Sequence, residues 1–151
     1  PRDIRKDARM TDGPIVPVRV MIVDDDPLIL TVFTKELDAQ PTVSVCATAA
    51  GGEQALETLS WRRHHIDVIL LDISMPGLNG IQTARAIHRK LPDLPIVMFT
   101  AFNDEKTLSE ALTEGVKGLL QKTKVLRTSR LHSFAQKRAC LPCPHTPLSF
   151  L

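Results

Sequence analysis

The feature that most constrains the fold of this chain is the stretch at residues 68–80. It begins with a run of branched apolar residues, the pattern of a strand buried on both faces of a parallel sheet. Asp72 interrupts the run, and Pro76-Gly77 then ends the strand, because proline donates no N–H and glycine admits backbone angles that other residues avoid. A lone Asp here is also typical of a turn or a helix cap. Open α/β sheets bind ligands at the C-terminal ends of their strands, so the position also suits a binding carboxylate.

Strand-like and helix-like segments alternate along the rest of the sequence. Apolar runs rich in branched residues predict strands, and apolar residues at helical spacing predict the helices between them. This alternation implies right-handed crossovers and one parallel sheet covered on both faces, which is an α/β fold. The predicted strands are 18–23, 43–48, 67–71, 95–100 and 117–121, and the helices begin near Pro27, Gly52 and Gly80 and after a cap at Asn103 or Asp104.

Length and composition bound the class of protein. A chain of 151 residues with 43% apolar residues fits one domain with its own core. We find no run of eighteen apolar residues and no secretion-signal pattern, so nothing indicates membrane insertion. The 3 cysteines do not make a disulfide framework. We therefore expect a cytoplasmic protein that does not associate with a membrane.

The charge is distributed unevenly along the chain. Six of the 19 basic residues lie between Lys122 and the C-terminus, where there is no acidic residue. The rest of the chain carries the other thirteen basic residues and all 17 acidic ones, so its net charge is −4. Because body and tail differ in this way, we predict a flexible arm at 1–17, one domain at 18–122 and an atypical basic tail at 123–151.

Four of the predicted strands end in charged or hydroxyl side chains, and all of these ends lie at one edge of the sheet. These are Asp24 and Asp25, then Asp72, Thr100 and Lys122. A cluster of carboxylates suits a hard divalent cation, and we expect Mg²⁺ with some of its waters. A lysine and a hydroxyl beside such a cluster are what a transferred phosphoryl group needs. Each residue alone has an ordinary explanation as a turn, strand or surface residue, but their joint position favours a site.

The motifs resemble the receiver domain of two-component response regulators, and most of all receivers that carry a LuxR-type helix-turn-helix domain. The resemblance covers about 18–122 and implies a flavodoxin-like doubly wound sheet of five strands in the order 2-1-3-4-5, with the fifth helix doubtful in this chain. The matching motifs are Val-Asp-Asp-Asp-Pro at 23–27, Leu-Leu-Asp-Ile-Ser-Met-Pro-Gly-Leu-Asn-Gly at 70–80, Phe-Thr-Ala at 99–101 and Gly-Leu-Leu-Gln-Lys at 118–122.

The resemblance also implies a function in signalling rather than an enzyme. A sensor histidine kinase would be the phosphodonor partner, Mg²⁺ the cofactor, and the face of the fourth helix and fifth strand the surface that switches and through which a homodimer forms. The roles implied are Asp72 as phosphoacceptor, Asp24, Asp25, Asp72 and the Ser74 backbone carbonyl as metal ligands, Thr100 as the hydroxyl that follows the phosphoryl group, and Lys122 as its cation.

Two other functions are compatible with parts of the sequence. A phosphatase of haloacid-dehalogenase type also uses a nucleophilic Asp, but it needs a second Asp where this chain has Ser74. A transcription factor needs a DNA-binding domain that does not fit in the 29 residues after Lys122, so DNA is a partner only if a missing C-terminal helix-turn-helix domain is restored. We interpret 124–151 as the product of a frame shift that truncates a longer regulator, and a native fifth helix at about 125–139 is the alternative.

Overall fold

A five-stranded parallel sheet in the order β2-β1-β3-β4-β5 forms the centre of the molecule, which confirms the predicted topology. The computed structural model describes residues 13–101 and 105–125. The strands are β1 (Val18–Val23), β2 (Val43–Ala49), β3 (Val68–Asp72), β4 (Ile96–Thr100) and β5 (Gly118–Gln121). The helices are α1 (Pro27–Asp38), α2 (Gly52–Arg62), α3 (Gly80–Lys90), α4 (Glu105–Thr113) and a single turn, α5 (Lys122–Val125).

The predicted elements are present, with small shifts at their ends. The proposed cap of α4 at Asn103 or Asp104, the alternative fifth helix at about 125–139 and the arm before residue 13 lie wholly or almost wholly outside the described residues. None of the helices in the described part of the chain is both long and apolar enough to cross a membrane.

The two faces of the sheet are buried against different helices. On one face, α1 contributes Phe33 and Leu37 to an apolar cluster with alternate residues of the central strands. On the other face, α2 and α3 contribute Leu59 and Ile87, among others. All five residues of β3 are buried, as expected for a central strand covered on both sides. This packing fixes the strand whose end carries Asp72.

The helices that follow β1 and β3 begin at well-formed caps. The Asp26 side chain accepts a hydrogen bond from the Leu28 N–H (2.9 Å), and Pro27 occupies the first turn, as predicted. At the start of α3, Asn79 and Gln82 form a reciprocal capping box. These caps set where the two helices start, directly after the loops that leave the strand ends.

β3 is displaced by one residue from the predicted strand at 67–71. Asp67 precedes the strand, and its carboxylate accepts hydrogen bonds from the Arg19 backbone N–H (2.9 Å) and from the Arg19 guanidinium at Nε and Nη2 (3.1 Å each). At the other end, Asp72 remains in the ladder, paired with Phe99 of β4. The candidate phosphoacceptor is therefore held within the sheet, and not in the loop that follows it.

Candidate functional site

Three carboxylates meet at the edge of the sheet where β1 and β3 end. Val23 pairs with Leu71, so Asp24 and Asp72 leave neighbouring strands side by side. One oxygen from each of Asp24, Asp25 and Asp72 lies within 4.8 Å of the others. Asp24 and Asp72 are almost fully buried, with 1% and 4% exposure, whereas Asp25 is exposed. The predicted acidic cluster is thus present, with two carboxylates inside the protein and one at its surface.

Lys122 lies between the two buried carboxylates. It follows β5 directly, and its Nζ atom is 2.6 Å from Asp24 Oδ2 and 3.2 Å from Asp72 Oδ1. Three carboxylates and one ammonium leave the cluster with a formal excess of two negative charges. Like charges at such short range repel, so the arrangement favours an additional cation.

The pKa shifts follow from burial and from these contacts. Burial is the largest influence on Asp72 and raises its pKa, and the Asp24 charge acts in the same direction. The Lys122 ammonium and a hydrogen bond from the Ser74 backbone offset part of this increase. For Lys122, burial lowers the pKa, but the contact with Asp24 and the charge of Asp72 outweigh it, so the pKa is raised. Lys122 is therefore held in its protonated form, beside a carboxylate whose ionised form is destabilised by burial. Such a combination is common at functional sites.

The chemistry of the donor set fits a hard divalent cation. All its ligand atoms are carboxylate oxygens, which Mg²⁺ and Ca²⁺ prefer. Asp24 Oδ1 already accepts a hydrogen bond from the Asp26 N–H (2.9 Å). Asp24 Oδ2 is buried, and its partner is the Lys122 ammonium at 2.6 Å. The residues that would hold a cation are Asp24, Asp25 and Asp72.

Gly80 fixes the backbone beneath Asp72. The Gly80 N–H donates to the Ile73 carbonyl oxygen (2.9 Å), and a Cβ atom at Gly80 would lie only 2.1 Å from the Asp72 carbonyl oxygen. The loop between them is also held from the side, because the Glu53 carboxylate accepts a hydrogen bond from the Leu78 N–H (3.2 Å). The sequence marked Gly80 as the start of a helix, whereas the structure shows that only glycine fits against the phosphoacceptor candidate.

The other two predicted site residues lie at the same edge of the sheet. Thr100 is buried, with 3% exposure, and ends β4 beside Gln121 of β5. Ser74 is exposed two residues after Asp72, and it is the Ser74 backbone hydrogen bond that influences the Asp72 pKa. The role of the Ser74 carbonyl as a metal ligand and that of the Thr100 hydroxyl stay predictions.

Phe99 belongs to the surroundings of the site, and we did not predict it from the sequence. The Lys122 Nζ atom lies over the Phe99 ring, 4.9 Å from its centroid. The Phe33 ring of α1 meets Phe99 edge to face, with centroids 5.0 Å apart. Phe99 stands next to Thr100 in a motif that we did quote, but its contact with Lys122 depends on the pairing of β4 with β5 and is not visible in a linear pattern.

Comparison with known proteins agrees with this geometry. The family model for the response regulator receiver domain matches residues 20–134, which extends beyond the boundary that we predicted at 122. The nitrate/nitrite response regulator protein NarL of Escherichia coli K12 is 33% identical over 106 residues, which cover 70% of this chain and 48% of NarL. Protein-glutamate methylesterase/protein-glutamine glutaminase 1 of Rhodospirillum rubrum is 37% identical over 109 residues, covering 70% of this chain and 27% of the relative.

A solved structure resembles the described fold. The crystal structure of the CheX–CheY–BeF3–Mg²⁺ complex from Borrelia burgdorferi contains a chain that superposes with a TM-score of 0.70 at 28% identity. The superposition covers 79% of this chain and 90% of that one. By contrast, this chain spans about half or less of the length of the two curated relatives, at 48% and 27%.

Proposed function

The chain belongs to the response regulator receiver domain family, and from this premise we propose that Asp72 accepts a phosphoryl group from the phosphohistidine of a sensor histidine kinase. The observation that carries the proposal is the Lys122 ammonium, which lies 2.6 Å from one buried carboxylate and 3.2 Å from another. A fixed cation at this position neutralises charge that collects on a phosphoryl group during its transfer.

The proposed step is an in-line displacement at phosphorus. A carboxylate oxygen of Asp72 forms the new P–O bond while the P–N bond to the kinase imidazole breaks, and the ring nitrogen keeps the electron pair. Asp72 suits this role because β3 and the Gly80 contact hold its backbone in place. Lys122 then pairs with the oxygens of the bound phosphoryl group, and the Thr100 hydroxyl donates a hydrogen bond to one of them.

We further propose that Asp24, Asp25 and Asp72, with the Ser74 carbonyl, hold Mg²⁺. The formal excess of two negative charges and the all-oxygen donor set support this assignment. When bound, the ion supplies positive charge to the oxygens of the phosphoryl group. Asp25 faces solvent, so its side of the cluster is the one open to ion and donor.

The output is proposed to act through the face of α4 and β5. Movement of Thr100 at the end of β4 would be transmitted to the neighbouring β5, with which it is paired through Gln121. Leu112 of α4 is 40% exposed, and a homodimer of this kind would have to bury apolar side chains such as this one. Regulation of transcription would require a DNA-binding domain joined to the receiver. The coding DNA beyond the Lys122 codon tests that part, because a shifted frame should encode an amphipathic helix followed by a helix-turn-helix pattern.

A hydrolase that uses Asp72 as nucleophile is the weaker candidate. Its general acid would have to lie two residues after the nucleophile, and Ser74 is there instead. Ser74 has no proton to give at a useful pKa, since a hydroxyl is a far weaker acid than a carboxyl group. The chemistry of the site therefore favours a phosphoacceptor over an enzyme that turns over a substrate.

Acetyl phosphate and mass spectrometry test the proposed function. We expect wild type to gain one phosphoryl group in the presence of Mg²⁺ and none in the presence of EDTA. Asp72→Asn should gain none under either condition. Asp67→Asn is the matched control, because it changes the same residue type beside the opposite end of β3 and should be phosphorylated like wild type. An equal gain of mass in Asp72→Asn and wild type would refute the assignment.

A further inference from the structure

We propose that Phe99 is a positioning residue whose ring holds the Lys122 ammonium at the phosphoacceptor site. This inference rests on the proposed function, in which Lys122 is the cation that meets the phosphoryl group. The ammonium of Lys122 lies 4.9 Å from the centroid of the Phe99 ring, within the range of a cation–π contact. Phe99 thus completes a set of three partners, of which Asp24 and Asp72 are the other two.

The register of the sheet explains why Phe99 reaches both groups. Phe99 pairs with Asp72 of β3 on one side and with Leu120 of β5 on the other. Leu120 packs against the same apolar cluster as Phe99. Lys122 follows two residues later, where β5 has ended and α5 begins. The Phe99 ring therefore lies next to the strand end that presents Asp72 and diagonally from the lysine.

The three described contacts of the Lys122 ammonium would respond differently to metal binding and to phosphorylation. Mg²⁺ would compete with Lys122 for the carboxylates of Asp24 and Asp72, and phosphorylation would consume the charge of Asp72. Neither event removes the ring. Lysine is a flexible side chain with several rotatable bonds, and without a fixed contact it would gain alternative positions at that moment. The ring keeps the ammonium where the phosphoryl oxygens will be.

The ring of Phe99 packs against that of Phe33. Phe33 and Phe99 are both fully buried in the cluster under α1, and their planes are inclined by 62°. Edge-to-face packing of this kind is favourable because the positive edge of one ring meets the negative face of another. The backbone of Phe99 is held by its pairs with Asp72 and Leu120, so β4 sets the direction of its side chain.

Three variants separate this role from ordinary core packing. Phe99→Leu keeps an apolar side chain but removes the aromatic face. Phe33→Leu is the matched control, because it makes the same exchange in the same apolar cluster without touching the lysine. Trifluorophenylalanine at position 99 keeps the shape of the ring nearly unchanged and withdraws electron density from its face, which weakens a cation–π contact.

The first measurement needs neither metal nor phosphodonor. In NMR spectra of the metal-free protein, the ε-methylene protons of Lys122 should be displaced upfield by the ring in wild type and in Phe33→Leu. They should lose the displacement in Phe99→Leu. Ordinary random-coil positions in wild type would overturn the inference, and they would do so whether or not the protein can be phosphorylated.

The second measurement is the rate of phosphorylation by acetyl phosphate with Mg²⁺. We expect a loss of about threefold to tenfold in Phe99→Leu, the range of one cation–π contact, an intermediate loss with trifluorophenylalanine, and a rate close to wild type in Phe33→Leu. Equal rates for phenylalanine and trifluorophenylalanine would overturn the inference even if Phe99→Leu fails to fold. Failure of wild type to become phosphorylated would instead refute the proposed function and leave the NMR result to decide the contact.

Discussion

Cations pair with carboxylates at both ends of the strands, that is, at the edge of the sheet where the strands begin and at the edge where they end. The two edges do so in opposite ways. At the edge where β1 and β3 begin, Arg19 and Asp67 form a closed pair in which one carboxylate accepts three hydrogen bonds from one residue. At the edge where these strands end, one ammonium serves two buried carboxylates, and a third lies nearby. Among the described residues, the first arrangement has one cation for one carboxylate, whereas the second has one ammonium for three carboxylates.

This difference separates a structural ion pair from a candidate functional site. The Arg19–Asp67 pair is half exposed and matched in number, so it offers nothing to a ligand. The Asp24–Lys122–Asp72 group is buried and unmatched, and burial without full pairing is costly for a carboxylate. The same excess of negative charge favours an added cation.

The largest expected effect is a loss of stability when the backbone next to Asp72 is disturbed. Gly80→Ala would place a Cβ atom 2.1 Å from the Asp72 carbonyl oxygen, so α3 or β3 must move. We expect a loss of about 3 kcal/mol or more in the free energy of unfolding, measured by urea denaturation. Gly118→Ala is the control, because its nearest neighbour is a Val97 methyl group at 3.8 Å, an ordinary contact. Equal unfolding midpoints for the two variants would show that the loop yields freely.

Removal of one carboxylate from the unmatched edge should weaken metal binding. Asp25→Ala leaves the cluster with two carboxylates and one ammonium, so we expect Mg²⁺ affinity to fall by about tenfold or more in calorimetric titration. Asp67→Asn removes the same charge at the opposite edge and should bind Mg²⁺ like wild type. Similar losses in both variants would mean that the net charge of the protein, and not the cluster, governs binding.

The sequence was sufficient for the strand ends but not for the contacts between them. Asp24, Asp72 and Lys122 could be predicted to meet because apolar runs mark the strands and parallel strands end at one edge. The partners Phe99 and Gly80 could not, since the first depends on the pairing of β4 with β5 and the second on how closely α3 approaches β3. We predicted Asp67 to be the first residue of the strand. Hydrophobic periodicity gives no sign of its ion pair with Arg19, so the pattern could not show that Asp67 precedes the strand.

The pH dependence of stability should reveal the cost of burying the ionised Asp72 carboxylate. The pKa of Asp72 is raised in the folded protein, mainly by burial, so folding favours its protonated form. The stability gained from that proton is fully present below the unfolded-state pKa and is lost as pH rises through the higher folded-state pKa. In EDTA, wild type should therefore lose stability relative to Asp72→Asn as pH rises above the unfolded-state pKa of about 4, measured by urea denaturation. Mg²⁺ should restore part of the loss, and parallel curves for the two proteins would contradict the argument.

The smallest effect is expected at the edge that carries Arg19 and Asp67. The Arg19 and Asp67 side chains are 40% and 29% exposed, so water competes with their ion pair and salt screens it. A double-mutant cycle with Arg19→Met and Asp67→Asn should give a small coupling energy that declines further in high salt. The same cycle with Lys122→Met and Asp24→Asn should give a larger coupling that salt hardly changes, because Asp24 is 1% exposed and the Lys122 side chain 14%. If the Arg19–Asp67 coupling were the larger of the two and insensitive to salt, the exposed pair would be the stronger interaction, and the contrast between the two edges would fail.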